Sequence, residues 1–239
     1  MNLSNTVIMI VGAGRGIGRA SAELFAEAGA DLVLASRTEA DLSELENKLE
    51  SRYCARTLSL STDVTDGSQV KRLVAEAMSR FGRIDKLVYT AGVGVLKPFG
   101  ETTEEEFERM LAVNVKGAFL LCQSVLPLME KQKRGHIIAV PGIIGRAPMA
   151  QAAAYCASKY ALTGMLKALA LEVKRAGVRI SLLHLGGVNS DFWNTISIRV
   201  QRERMLTVEA AARAVLFAAT QEGEGVLNEI VLQPESHQM

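Results

Sequence analysis

The stretch Thr6-Val7-Ile8-Met9-Ile10-Val11-Gly12-Ala13-Gly14-Arg15-Gly16-Ile17-Gly18 decides how the chain is read. Val7 to Val11 is apolar at every position, which predicts a strand covered on both faces. Glycines crowd the turn that follows, and Ile17 to Ala28 then carries a helical pattern ended by Gly29. Glycines at such a turn let the backbone bend tightly and approach an anion at the positive end of a helix. The spacing is G-x-x-x-G-x-G on Gly12, Gly16 and Gly18. The G-x-G-x-x-G spacing does not fit, because its sixth position falls on Ile17 or Arg19. Coming straight after the first strand, this turn predicts a dinucleotide site rather than a glycine-rich turn without a ligand.

Outward from this unit, strands and helices alternate. Strands are expected at Asp31–Ser36, Thr57–Ser61, Ile84–Thr90, His136–Val140, Val178–His184 and Glu229–Leu232. Helices are expected at Glu39–Glu50, Gln69–Phe81, Glu104–Lys131 with a break near Asn114, Ala152–Arg175 and Val208–Thr220. The alternation predicts an α/β fold of Rossmann type: a doubly wound, seven-stranded parallel sheet with helices on both faces. No linker or composition break interrupts it, so residues 1–239 read as a single dinucleotide-binding and catalytic domain. Gln233 to Met239 is polar and is expected to be loose.

Composition narrows the function. The 239 residues hold 27 Lys and Arg against 26 Asp and Glu, a net charge of +1 that argues against nucleic acid as a partner. With 49 % apolar residues the chain is globular, and at this length it buries about 70 % of its unfolded surface without needing disulfides or metal. Cys54, Cys122 and Cys156 lack CxxC spacing and suit a reducing, cytoplasmic compartment. His136, His184 and His237 form no ligand cluster, so no metal is expected. The first apolar run lacks a basic segment before it and reads as a strand rather than a signal peptide. No stretch is expected to be long enough to span a membrane.

The end of the second strand selects the cofactor. A site specific for NAD places an acid there to hold the ribose hydroxyls. This chain has Ser36 followed by Arg37, with Arg15 in the glycine loop. Two guanidiniums pair with a 2′-phosphate that an acid would repel, so NADP(H) is expected. Further along, Tyr155 and Lys159 stand at i and i+4 on one helix face. An ammonium close to a phenol lowers its pKa from near ~10 and makes it a better proton donor and acceptor.

Together these features resemble the short-chain dehydrogenase/reductase family over nearly the whole chain. Val11 to Gly18 is similar to its TGxxxGxG motif. Asp63-Val64 matches the pair that contacts adenine. Tyr89-Thr90-Ala91-Gly92 resembles NNAG in its last two letters. Asn114 matches the catalytic asparagine that ties a water to the lysine, and Tyr155 with Lys159 matches YxxxK. Leu185 to Ser190, with Val188 inside it, resembles PGxVxT beside the nicotinamide. The resemblance implies catalytic roles for Tyr155, Lys159 and Asn114. It implies cofactor contacts from Gly12, Arg15, Gly16, Ile17, Gly18, Ser36, Arg37, Asp63, Val64, Thr90, Ala91, Gly92, Tyr155, Lys159 and Val188. A homotetramer or homodimer built on Glu104–Lys131 and Ala152–Arg175 is implied as well.

One position departs from the family. Thirteen residues before Tyr155, where the family keeps a serine that binds the substrate oxygen, stands Gly142. Losing one such donor typically costs about 2.7–4 kcal/mol of transition-state stabilisation. Two functions therefore stay open. One is an NADPH-dependent oxidoreductase acting on a small carbonyl or alcohol. The other is an NADP(H)-binding protein with weak or no turnover, such as a redox sensor or scaffold. Between Asp191 and Thr207 one helical segment with Phe192, Trp193 and Ile196 reads either as packing or as an apolar lid. Arg199, Arg202 and Arg204 read either as a solvated face or as an attractor of anionic substrate.

Overall fold

Val7–Val11 forms strand β1, and all five of its side chains are buried. Val7, Met9 and Val11 point into one core and Ile8 and Ile10 into another, so β1 has helices over both faces. The computed structural model describes residues 2–196, 198–221, 223 and 225–237. In chain order the elements are β1, α1 (Gly16–Glu27), β2 (Asp31–Ser36), α2 (Glu39–Tyr53), β3 (Thr57–Ser61), α3 (Gly67–Phe81), β4 (Lys86–Tyr89), α4 (Glu104–Leu111), α5 (Gly117–Gln132), β5 (Gly135–Ala139), α6 (Ala153–Val173), β6 (Val178–Leu185), α7 (Val208–Ala219) and β7 (Glu229–Leu232). The strands form one seven-stranded sheet in the order β3-β2-β1-β4-β5-β6-β7. Every pairing is parallel.

The two cores divide the helices. On one face α3, α5 and α6 pack through residues such as Leu73, Leu121, Val125, Leu162 and Leu166. On the other, α1, α2 and α7 pack through Phe25, Leu42, Leu45, Leu49, Ala211 and Val215. Leu42, Leu45 and Leu49 sit at helical spacing and are all but fully buried. Each such side chain contributes about 1.5–3 kcal/mol by leaving water.

Several ends differ from the sequence expectation for local reasons. Helix α3 begins at Gly67 because Asp66 accepts from the amides of Ser68 and Gln69, capping the helix. Strand β4 begins at Lys86, not Ile84: the side chain of Gln132 bonds both the amide and the carbonyl of Ile84. The expected break near Asn114 is a π-helical turn, Ala112–Lys116, that runs from α4 into α5 without interruption. The polar C-terminal segment is docked rather than loose through Ser236. Pro234 packs on Gly186, and the Ser236 hydroxyl donates to the carbonyl of Arg204. Residues 238 and 239 lie outside the described residues. The expectation that no stretch reaches membrane length also needs correction. Glu104–Gln132 has the length and apolarity to cross a bilayer. Leu121, Cys122, Val125 and Met129 on it bury against the sheet, as a core helix does.

A buried histidine couples this fold to pH. His136 lies inside β5 with its Nε2 2.8 Å from the Ser181 hydroxyl. Burial, with the charges of Lys86 and Arg179, lowers its pKa to about 3. The unfolded chain binds a proton near pH ~6.5 that the folded chain refuses, so stability rises with pH between the two values. Urea unfolding of the wild type from pH 4 to 6.5 is expected to show about 1.4 kcal/mol per pH unit more slope than His136→Gln.

Candidate active site

Parallel pairing brings the loops after β1 to β6 to one edge of the sheet, with the reversal of strand order between β1 and β4. Ligands of such sheets bind at that reversal. The glycine loop fits there by exclusion. A Cβ on Gly18 would collide with the Gly12 carbonyl, and one on Gly12 would stand 2.6 Å from the amide nitrogen of Ala91. Gly16 has φ +55°, which favours glycine, and the only atom near its missing Cβ is Ser190 Cβ at 3.7 Å. Helix α1 starts here with no capping side chain and no acid in its first turn. Its free N–H groups therefore face an anion site at the positive end of the helix dipole. This cradle fits a dinucleotide pyrophosphate. Thr90 braces it, donating to the carbonyls of Val11 and Gly12 at 2.9 and 3.4 Å.

At the outer end of the cradle, Ser36 donates to the Thr38 carbonyl at 3.3 Å. Arg15 and Arg37 are exposed, and neither side chain has a partner among the described residues. Asp41 shares this corner, its Cβ 3.2 Å from where a Gly14 Cβ would be. Asp63 accepts from the amide and hydroxyl of Thr65, both at 2.8 Å. Val64 turns its side chain into the core against Gly117, leaving its backbone as the part that can meet a ligand.

Deeper in, Asn114 is fully buried on the π-helical turn. Its Oδ1 accepts from the Val93 amide at 2.9 Å, and its Nδ2 donates to the Val93 carbonyl at 2.8 Å and to the Ser158 hydroxyl at 2.9 Å. Ser158 donates in turn to the Tyr155 carbonyl at 2.8 Å. Asn114 thus ties the β4 loop to α6. Both its Oδ1 and Lys159 Nζ lie against Gly92, 3.3 and 3.2 Å from where a Cβ would be. Ser158 and Tyr89 are the residues that sequence reasoning missed. Tyr89 donates to the Val113 carbonyl and so braces the same turn. Their only sequence signals were a hydroxyl one position before Lys159 and a phenol where the family motif has asparagine.

Lys159 is buried, donates to the Val140 carbonyl at 3.3 Å, and stands 5.9 Å from the centre of the Tyr155 ring. Burial lowers its pKa to about 8. The expected lowering of Tyr155 is not what this arrangement produces: burial pushes the phenol above its ordinary value. The reason is the segment at Asp191–Thr195, where Phe192 stacks on Tyr155 with ring centres 5.7 Å apart. The Tyr155 hydroxyl makes no hydrogen bond among the described residues.

The segment after β6 covers the cleft. Tyr155, Phe192, Trp193, Ile196 and Ile198 pack with Leu96, Ile144, Ala152 and Cys156 in a small apolar cluster. Trp193 donates to the Val188 carbonyl at 2.9 Å. Instead of one helix, two short 3-10 turns form here, Asp191–Thr195 and Arg202–Arg204. Arg202 joins them, bonding Asn189 Oδ1 and Asn194 Oδ1 at 2.8 Å and the Ser190 carbonyl at 2.9 Å. Of the three arginines read as a solvated face or an anion attractor, Arg199 and Arg204 are exposed and Arg202 is a clamp. Gly142 has φ +76° and ψ 171°. That region is open essentially to glycine alone, and another residue there would carry roughly 1–3 kcal/mol of strain.

Comparison with known proteins agrees with this architecture. Residues 6–200 match the family model for short chain dehydrogenase. The sepiapterin reductase of Chlorobaculum tepidum is 34 % identical over 96 % of each chain. The L-fucose dehydrogenase of Mus musculus is 32 % identical over 98 % of this chain and 84 % of its own. A metagenomic short-chain oxidoreductase solved in complex with NADP superposes with a TM-score of 0.85 at 31 % identity, covering 97 % of this chain and 98 % of its own.

The Asn114 clamp has a testable stability role. Asn114→Ala leaves the Val93 amide and carbonyl without their partner, while the Ser158 hydroxyl loses one donor and keeps its bond to the Tyr155 carbonyl. A buried unsatisfied group costs about 1–3 kcal/mol, and with Val93 half-buried a loss of about 1–2 kcal/mol is expected in chemical denaturation. A purely chemical role for Asn114 would leave stability unchanged.

Proposed function

The chain belongs to the short-chain dehydrogenase family, and from that premise we propose that it is an NADP(H)-dependent oxidoreductase acting on a small carbonyl or alcohol substrate. The observation that carries this reading is the Tyr155 hydroxyl, free of hydrogen bonds among the described residues, beside buried Lys159 at the inner end of the glycine cradle. Gly12, Gly16, Ile17 and Gly18 would hold the pyrophosphate, and Thr90, Ala91 and Gly92 would flank the cofactor. Asp63 and the backbone of Val64 would meet the adenine, with Val188 near the nicotinamide. Ser36, Arg15 and Arg37 would take the 2′-phosphate. The bound cofactor supplies or accepts a hydride.

The chain's own residues handle the proton. In reduction, the Tyr155 hydroxyl donates its proton to the substrate oxygen and becomes phenolate, which the Lys159 ammonium stabilises. A phenol held above its ordinary pKa stays protonated at neutral pH, the form that reduction requires. Lys159, at about 8, is largely charged there. Asn114 spends its side chain on Val93 and Ser158 and has one lone pair of Oδ1 left over, so its part is to hold the turn and at most one water. The apolar walls of the cleft, Leu96, Ile144, Phe192 and Trp193, suit an uncharged substrate.

Three further readings accompany this one. The unpaired thiols Cys54, Cys122 and Cys156 suit the cytoplasm. Exposed Phe107 and Phe119 on α4 and α5 and Leu171 on α6 mark the faces on which a homodimer or homotetramer would pair. The alternative function, cofactor binding with little turnover, is favoured by Gly142, which offers no side-chain donor to the substrate oxygen.

Two experiments separate these readings. Tyr155→Phe is expected to lower turnover about 10²–10⁴-fold on any carbonyl that the wild type reduces, with NADPH affinity within threefold. Micromolar NADPH binding without turnover on ketones, aldehydes and quinones would favour the binding protein. In titrations, NADPH is expected to bind more tightly than NADH. Arg37→Ala should remove about tenfold or more of the NADPH affinity, the worth of one charge-assisted contact, and leave NADH unchanged. Tighter NADH binding by the wild type would overturn the assignment of Ser36 and Arg37.

A further inference from the structure

The loop after β5 passes between the proposed proton donor and a polar cluster that this mechanism does not use. Within the loop, the Val140 carbonyl accepts from Lys159 and Ile144 packs in the cluster that contains Tyr155. Gly142 lies between them. Its carbonyl accepts from the Gly145 amide at 3.1 Å and also meets His184 Nδ1 at 3.1 Å. His184 comes from β6 and is fully buried.

A carbonyl only accepts, so this contact puts the imidazole proton on Nδ1. Nε2 then faces Glu229 Oε2 at 3.4 Å and has no hydrogen-bond partner among the described residues. Burial holds the His184 pKa below its ordinary value, which keeps the ring neutral at pH 7 and favours this single tautomer. Around it, Glu229 at the start of β7 takes Lys167 of α6 in a close ion pair and Arg146 of the loop at 3.6 Å. A cavity of about 500 Å³ opens on these side chains from the outside. The cluster thereby joins α6, β6, β7 and the loop.

We propose that His184 is a positioning residue for the Gly142 loop: its Nδ1–H on the Gly142 carbonyl fixes the cleft wall beside Tyr155. In the family resemblance that wall carries a serine; here no side chain at position 142 can contribute, and the loop must be held from behind. A left-handed glycine is the least restrained backbone in the loop, so a fixed carbonyl restricts it where restraint matters most. Lys167 and Arg146 hold the Glu229 carboxylate in ion pairs beside the ring, so it places no demand on Nε2.

The test rests on the proposed reductase activity for one readout and is independent of it for the other. His184→Leu removes the donor at similar volume, whereas His184→Asn keeps an N–H near the position of Nδ1. Amide hydrogen exchange of Gly145, Arg146 and Ala147, which close the turn onto Gly142 and Ile143, is expected to rise tenfold or more in His184→Leu. In His184→Asn it should stay within threefold of the wild type, with α6 amides unchanged in both. Carbonyl reduction should follow the same order, kcat falling tenfold or more in His184→Leu and recovering in His184→Asn, at NADPH affinity within twofold. Equal exchange in all three proteins, or equal impairment of both variants, would overturn the proposal. If the wild type turns over no carbonyl at all, the function reading fails, and the exchange result alone decides the role of His184.

Discussion

Seven strands paired in parallel put all their carboxyl ends at one edge of the sheet, and everything chemical in this molecule follows from that edge. Each of β1 to β6 enters a crossover there, and each crossover starts with a loop rather than a tight hairpin. The loops after β1, β4 and β5 thus meet over the point where strand order reverses, bringing Gly12, Gly92 and Gly142 within one cleft. Helix α6 supplies Tyr155 and Lys159 from beside it. The burial that makes the sheet stable also shapes the electrostatics. Lys159 and Tyr155 both sit where water is scarce, so both are displaced toward their neutral forms. Burial outweighs the attraction between them, because the ammonium stands 5.9 Å from the ring centre and Phe192 covers the phenol.

Much of this was legible from residues alone because the signals are local. A run such as Val7 to Val11 has one use in a parallel sheet, and four glycines between Gly12 and Gly18 allow a backbone path few other sequences could take. What escaped the sequence depends on contacts between distant segments. The sequence predicts a break near Asn114, whose buried amide needs partners that an apolar helix does not supply. In the structure Val93 and Ser158, 21 and 44 residues away, satisfy it, and a π-helical turn carries it without ending the helix. Arg202 looked like one of three surface charges until Asn189, Ser190 and Asn194 met it. Val64 matched a motif as a ligand contact, yet its side chain belongs to the core. A motif constrains the backbone path there and leaves the direction of the side chain open.

Gly142 joins these strands of argument. Its identity alone reads as the loss of a catalytic donor, a serine replaced by nothing. Its conformation says more: at φ +76° and ψ 171° the backbone occupies a region that a serine would enter only with strain. The loop's path at this position thus depends on glycine. A Cβ at Gly142 would meet only the Leu185 carbonyl within 4 Å, at 3.6 Å, so the cost of Gly142→Ser lies in the backbone conformation and not in crowding. A path of this kind persists only when surrounding contacts fix it. The contacts available are the Gly145 amide, the Leu183 carbonyl that accepts from the Gly142 amide at 3.3 Å, and the His184 imidazole. Two of the three belong to β6, which makes that strand the frame for the Gly142 loop, as β1 is the frame for the glycine cradle.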